Sequence, residues 1–186
     1  ALREKVNLGN QDIKPVTNLL REKLNTMPKI ASGYLDHADE LFEILDDQQK
    51  AQVFEKAKKK HDRKSFRHRR HSGRILAHID DEVEDLNLNE EQKTKYQLLI
   101  LRLEAEMAKQ KAEWAVFKVK MHQEAVQNKL EIKPLTGMLR EKLNEMPQSI
   151  SVYLDFVDEF FEILNNEQKA VVFEELKDKL DGHWWS

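Results

Sequence analysis

The sequence predicts an all-α fold made of long-helix hairpin units with capping-box helix starts, present as two tandem copies. Three observations carry this expectation. Charged residues make up 35% of the 186 residues, while Gly and Pro number only 5 and 4, a balance that suits long helices rather than turn-rich β folds. The stretch Asn89 to Asn128 keeps helical periodicity throughout and is apolar on two faces. Residues 13–55 recur at 132–174, with 28 of 43 positions identical, which marks a true internal duplication.

Taken in order, Ala1 to Val6 read as the last turns of a helix that ends near Gly9 and Asn10. Ile13-Lys14-Pro15 opens the next helix, where proline suits the first turn, followed by Leu19, Leu20, Leu24 and Met27 at helical spacing. Pro28 is expected to break or kink that helix, because its ring removes one N–H and crowds the preceding turn. A second apolar series from Ile30 through Tyr34, Leu41 and Phe42 carries it to Leu45, and Asp46-Asp47-Gln48-Gln49 restarts it.

Between the copies, Lys56 to Arg74 holds ten Lys or Arg against one Asp and gives way to the acidic Asp80-Asp81-Glu82. The expected path is a helix, an interruption at Ser72-Gly73 and a short helix to Asp85. The acidic block stands just before the long helix, whose N-terminal dipole favours negative charge.

On the long helix, Tyr96, Leu99, Leu103, Met107, Trp114, Phe117 and Met121 line one side, and Leu98, Leu101, Val116 and Val119 lie almost opposite. Burying each of these last four is worth about 1.5 to 3 kcal/mol, so a cover for the second face is expected, from the other copy or from a second chain. After the helix the copied unit follows: Ile132-Lys133-Pro134, then Leu139 to Asn144, Met146-Pro147, Tyr153-Leu154-Asp155 and Phe161 to Leu164. Its aromatics, Tyr153, Phe156, Phe160, Phe161 and Phe173, are expected in the core, as are Tyr34, Phe42 and Phe54 of the first copy. The division is 1–60 for the first unit, 61–87 for the linker and 88–186 for the second, complete unit. By the duplication, about thirty residues of the first unit are expected upstream of Ala1, with an export signal and a fourth Leu-x-x-x-Gln start.

Three helix starts share one pattern: Leu45-Asp46-Asp47-Gln48-Gln49, Leu88-Asn89-Glu90-Glu91-Gln92 and Leu164-Asn165-Asn166-Glu167-Gln168. Asp or Asn at the N-cap accepts from the backbone N–H of the third helical residue, and Gln there reaches back to the cap. In these motifs the chain resembles the LTxxQ family of bacterial periplasmic proteins, which includes the Spy and CpxP chaperones, with Asn or Asp in place of Thr. The tail Gly182-His183-Trp184-Trp185 also resembles theirs.

The resemblance implies a helical cradle that holds unfolded or misfolded clients without ATP, in the periplasm, with the signal peptide already removed. Family members are usually homodimers of single units. Two units in one chain therefore imply a cradle-like intramolecular pseudo-dimer, with a homo-oligomer as the alternative. A membrane sensor protein is a further expected partner.

Client-binding candidates are Lys59, Lys60, Arg63, Arg67 and Arg70 of the basic block and Leu98, Leu101, Val116 and Val119 of the long helix. Phe66 is the basic block's only aromatic, so no stacking platform for single-stranded nucleic acid is expected. The competing reading is a metal-responsive regulator that binds Zn²⁺, Ni²⁺ or Cu²⁺ through His61, His68, His71 and His78, of which His68 and His71 lie one turn apart. Arg67, Arg69 and Arg70 would repel a cation there, and no cofactor is expected. Without cysteine there is no disulfide or thiolate chemistry. Neither a Gly-rich phosphate loop, a His-Glu-x-x-His nor a Gly-x-Ser-x-Gly occurs, and the carboxylates are accounted for by capping and i,i+4 pairing. A binding protein, not an enzyme, is the expectation.

Overall fold

A computed structural model describes residues 12–65, 83–127 and 131–181. Among them are five helices and no strand: α1 (Lys14–Ile44), α2 (Asp47–Ser65), α3 (Glu90–Gln127), α4 (Lys133–Ile163) and α5 (Asn166–Asp181). Before α3, Val83 and Glu84 are helical, and Asn87 takes a positive φ of 49°, which an Asn tolerates better than most residues.

α1 and α4 are copies of each other, and both run unbroken through their prolines. Of the break or kink expected at Pro28, the break therefore does not occur. A mid-helix proline costs roughly 3 kcal/mol, and here the apolar series on either side continues the helix. The prolines mark another boundary instead. The chain forms two compact units, and the division falls close before each proline: the first unit takes residues 1–25, 82–108 and 147–186, the second 26–81 and 109–146. The sequence boundaries at 60 and 88 describe the repeat, and the compact units cut across it, each drawing on both copies.

In the first unit, Ile13 and Val16 at the start of α1 pack with Phe161 and Phe173 of α4 and α5, and Phe160, Val172 and Leu176 close around them. The Phe161 and Phe173 rings meet edge to face at 5.5 Å, a geometry favoured by their opposed quadrupoles. Leu86, Leu88, Leu99, Phe156 and Leu164 are also buried. In the second unit Phe42 and Phe54 repeat the ring pair at 5.5 Å, and Trp114 packs on Phe117 under the Lys142 ammonium. Of its hydrophobic residues, however, only Phe42 and Leu135 are buried among those described. Tyr34, expected in this core, stands exposed.

Candidate functional site

Each of the three motif starts closes a reciprocal capping box. Asp46, Asn89 and Asn165 accept from the backbone N–H of Gln49, Gln92 and Gln168 at 2.8, 2.8 and 2.9 Å. The three glutamine Oε1 atoms accept in return from the cap N–H at 3.0, 3.0 and 2.9 Å. Leu88 and Leu164, just before their caps, are buried, and Leu45 is half-buried.

In the first unit the glutamines do a second job. Gln92 Nε2 donates to Gln168 Oε1 at 2.8 Å and to the Ile163 carbonyl, the last of α4, at 2.8 Å. Gln168 Nε2 donates to the Leu86 carbonyl at 3.0 Å and to Gln92 Oε1 at 3.3 Å. Both side chains are buried, so each amide ties one helix start to the chain end beside the other. Only a carboxamide accepts at the cap and donates across the pair, which is the physical reason for Gln over Glu. Periodicity and spacing identify the caps but say nothing of this pairing.

Farther along α3, Tyr96 packs on Phe160, and Arg102 bonds both oxygens of Glu159, at 2.7 and 3.1 Å, while lying over the Phe156 ring. The first half of α3 thus lies on the α4–α5 hairpin.

A second polar set appears twice, with the copies exchanged. In the first unit Lys14 pairs with Glu162, Thr17 Oγ1 donates to Asp158 at 2.7 Å, and Arg21 reaches Asp155 at 2.6 Å and Asp158 at 2.8 Å. In the second unit Lys133 pairs with Glu43, Thr136 donates to Asp39 at 2.7 Å, and Arg140 reaches Asp36 and Asp39, both at 2.7 Å. Burial alone would push the Asp39 carboxyl up, but the bonds from Arg140 and Thr136, with the Arg140 charge, outweigh it and hold Asp39 below its ordinary value. The bond to Asp158 raises the Arg21 guanidinium against the opposing effect of burial. These four aspartates therefore serve contacts between the sequence copies, not the capping and i,i+4 roles expected of them.

Of the expected client residues, Leu98 and Leu101 are 59% and 61% exposed, and Val116 and Val119 56% and 57%. Within the described structure of this chain the second face of α3 is thus open, so the cover expected from the other copy or a second chain is not supplied by the other copy; opposite it, Leu99 is buried, Tyr96, Leu103, Met107, Phe117 and Met121 are half-buried, and Trp114 is 37% exposed. Lys59, Lys60, Arg63 and His61 fall on α2, but their side chains lie outside the described residues. Arg67, Arg70, His68, His71, His78, the break at Ser72-Gly73, Ala1 to Asn10 and the tail from Gly182 also lie outside them. Among the described residues no cluster of three metal-ligating side chains occurs, and no helix is long and apolar enough to cross a membrane.

Fold and site define a helical scaffold whose polar groups tie helix ends and helix pairs together while apolar residues remain on its surface. A family model described as LTXXQ motif family protein matches residues 75–176, more than half of the chain, and the chain belongs to this family. Its members are helical, non-enzymatic and typically periplasmic, with a chaperone or stress-related character. No curated protein and no solved structure gave a match.

Proposed function

We propose that the protein is a periplasmic, ATP-independent chaperone that holds unfolded or misfolded proteins on the outer residues of α3. The observation that carries this reading is the exposure of Leu98 and Leu101 in the first unit and of Val116 and Val119 in the second, on a helix whose opposite residues Leu99, Tyr96, Leu103, Met107, Phe117 and Met121 are buried or half-buried. A client that covers such side chains gains about 1.5 to 3 kcal/mol for each one fully buried, without needing a defined sequence. The absence of a phosphate-binding loop from the sequence agrees with a cycle without nucleotide. The basic block around Lys59, Lys60 and Arg63 adds long-range attraction for acidic clients.

The same proposal takes the two sequence copies as halves of an intramolecular pseudo-dimer. In support, Arg21 of the first copy bonds aspartates of the second copy within the first unit, and Arg140 of the second copy bonds aspartates of the first within the second unit, so each unit draws on both copies with their roles exchanged.

Aggregation of a chemically denatured test protein, followed by light scattering, tests the chaperone reading. The chain is expected to suppress scattering at substoichiometric ratio, and the quadruple Leu98→Ser, Leu101→Ser, Val116→Ser, Val119→Ser variant to lose most of that effect with its helicity unchanged. Absence of suppression at equimolar ratio overturns the reading, and full suppression by the quadruple variant overturns the assigned surface.

A further inference from the structure

The charge that borders the outer face of α3 differs between the two units. In the first unit the cations beside Leu98 and Leu101 are already bonded, Arg102 to both oxygens of Glu159 and Lys95 to Glu91 at 2.6 Å, and Glu104 stands exposed on the other border. In the second unit, at 3.6 residues per turn, Ala112, Ala115, Val116, Val119 and Val126 make one exposed strip. Lys111 and Lys118 border that strip on one side and Lys120 on the other. All three lysines are exposed, and among the described residues none has a carboxylate partner. The acids of the same stretch are engaged elsewhere: Glu113 lies 3.9 Å from the Lys142 ammonium, and Glu124 is half-buried.

We infer that this second-unit strip of α3 binds the surface of an anionic phospholipid bilayer. A helix lying in a lipid interface has the same arrangement. Its apolar strip enters the boundary of the acyl chains, while lysines on either side lay their stems along it and lift their ammonium groups to the phosphates. A bilayer presents anionic groups along both borders at once, whereas a protein helix laid on the strip would have to be acidic along both of its own. Alanine and valine bury too little apolar area to hold lipid unaided, so the lysines decide: each one brought against anionic lipid multiplies binding about five-fold. The attraction is peripheral, reversible and weakened by salt. No client takes part, so this binding goes beyond the chaperone reading and does not depend on it.

The chain has no cysteine, so Ala115→Cys places a single environment-sensitive fluorophore on the strip. Vesicles of phosphatidylcholine mixed with phosphatidylglycerol are expected to shift its emission to the blue, vesicles of phosphatidylcholine alone to leave it unchanged, and high salt to reverse the shift. Lys111→Gln, Lys118→Gln and Lys120→Gln together, with helicity unchanged by circular dichroism, are expected to weaken binding to the mixed vesicles about ten-fold or more. Absence of a shift with the mixed vesicles, or an equal shift with both kinds, overturns the inference. Vesicle binding that the triple variant keeps in full also overturns it, by leaving lipid to the basic block of Lys56 to Arg74. An equal shift with polyglutamate in place of vesicles does so as well, by assigning the strip to acidic polypeptides. Aggregation suppression is measured without lipid and this binding without client, so either reading can fail alone.

Discussion

The carboxamides of Gln92 and Gln168 face each other in the buried part of the first unit, Gln92 Nε2 standing 2.8 Å from Gln168 Oε1 with a longer return bond of 3.3 Å. The pair joins two helix starts 76 residues apart in sequence, so one local capping motif becomes a tertiary contact.

A glutamate in place of Gln92 still caps its helix but brings a carboxylate against the Gln168 and Ile163 oxygens. Gln92→Glu should destabilise the fold by about 1–3 kcal/mol in urea unfolding at neutral pH. Burial favours the neutral acid there, raising the substituted group's folded pKa above its unfolded value. Stability should therefore fall as pH rises through the unfolded carboxyl range, near 4.3, making the penalty smaller at pH 4 than at pH 7. Gln49→Glu on the exposed hairpin should stay within about 0.5 kcal/mol of wild type; an equal loss at both positions would contradict the distinction between paired and unpaired motifs.

Arg21 and Arg140 occupy equivalent places, each sharing a largely buried aspartate with a threonine. Removing either guanidinium leaves that aspartate with half its partners. Arg21→Ala and Arg140→Ala should each cost about 1–3 kcal/mol. Cycles with Asp158→Ala and Asp39→Ala should return clear positive coupling, whereas a coupling near zero would reduce these contacts to surface ion pairs.

Acid should act on the second unit through Asp39. Its folded pKa lies below the ordinary 3.8, so its contribution is complete above that value and is lost as pH falls through the lower folded value. Thermal unfolding between pH 5 and pH 2.5 checks this: Asp39→Asn should be less stable than wild type at pH 5, with the gap closing toward pH 2.5.

Capping supplies a smaller test. Asp46→Ala removes one accepting side chain and should lower stability by about 1 kcal/mol in a denaturant melt, and Asp46→Asn should restore most of it.

Helix positions and caps were legible in the sequence because both are local: the apolar period marks α1 to α5, and the Asp46, Asn89 and Asn165 hydrogen bonds span three residues. At Pro28 a one-residue rule competes with an apolar series that continues at helical spacing on both sides, and the helix runs through the proline. The repeat gave Tyr34 and Tyr153 the same expected burial, yet among the described residues Tyr34 is exposed and Tyr153 half-buried. The Arg21–Asp158 and Arg140–Asp39 contacts were hidden for a related reason. Repetition fixes what each residue is, while partner choice depends on which copy comes near, and both copies offer the same aspartates.

The exchange of partners between copies also bears on how the chain acquires its structure. Helical proteins ordinarily close mostly local contacts and fold fast, but Arg21 must wait for Asp158, 137 residues later, and Arg140 reaches back 104 residues to Asp36. During synthesis the first unit is incomplete until α5 has left the ribosome, so neither half of the gene encodes a part that matures alone. A chain with that history exposes its own unsatisfied apolar hairpins while it is being made, and is for that interval a candidate for the assistance it is proposed to give.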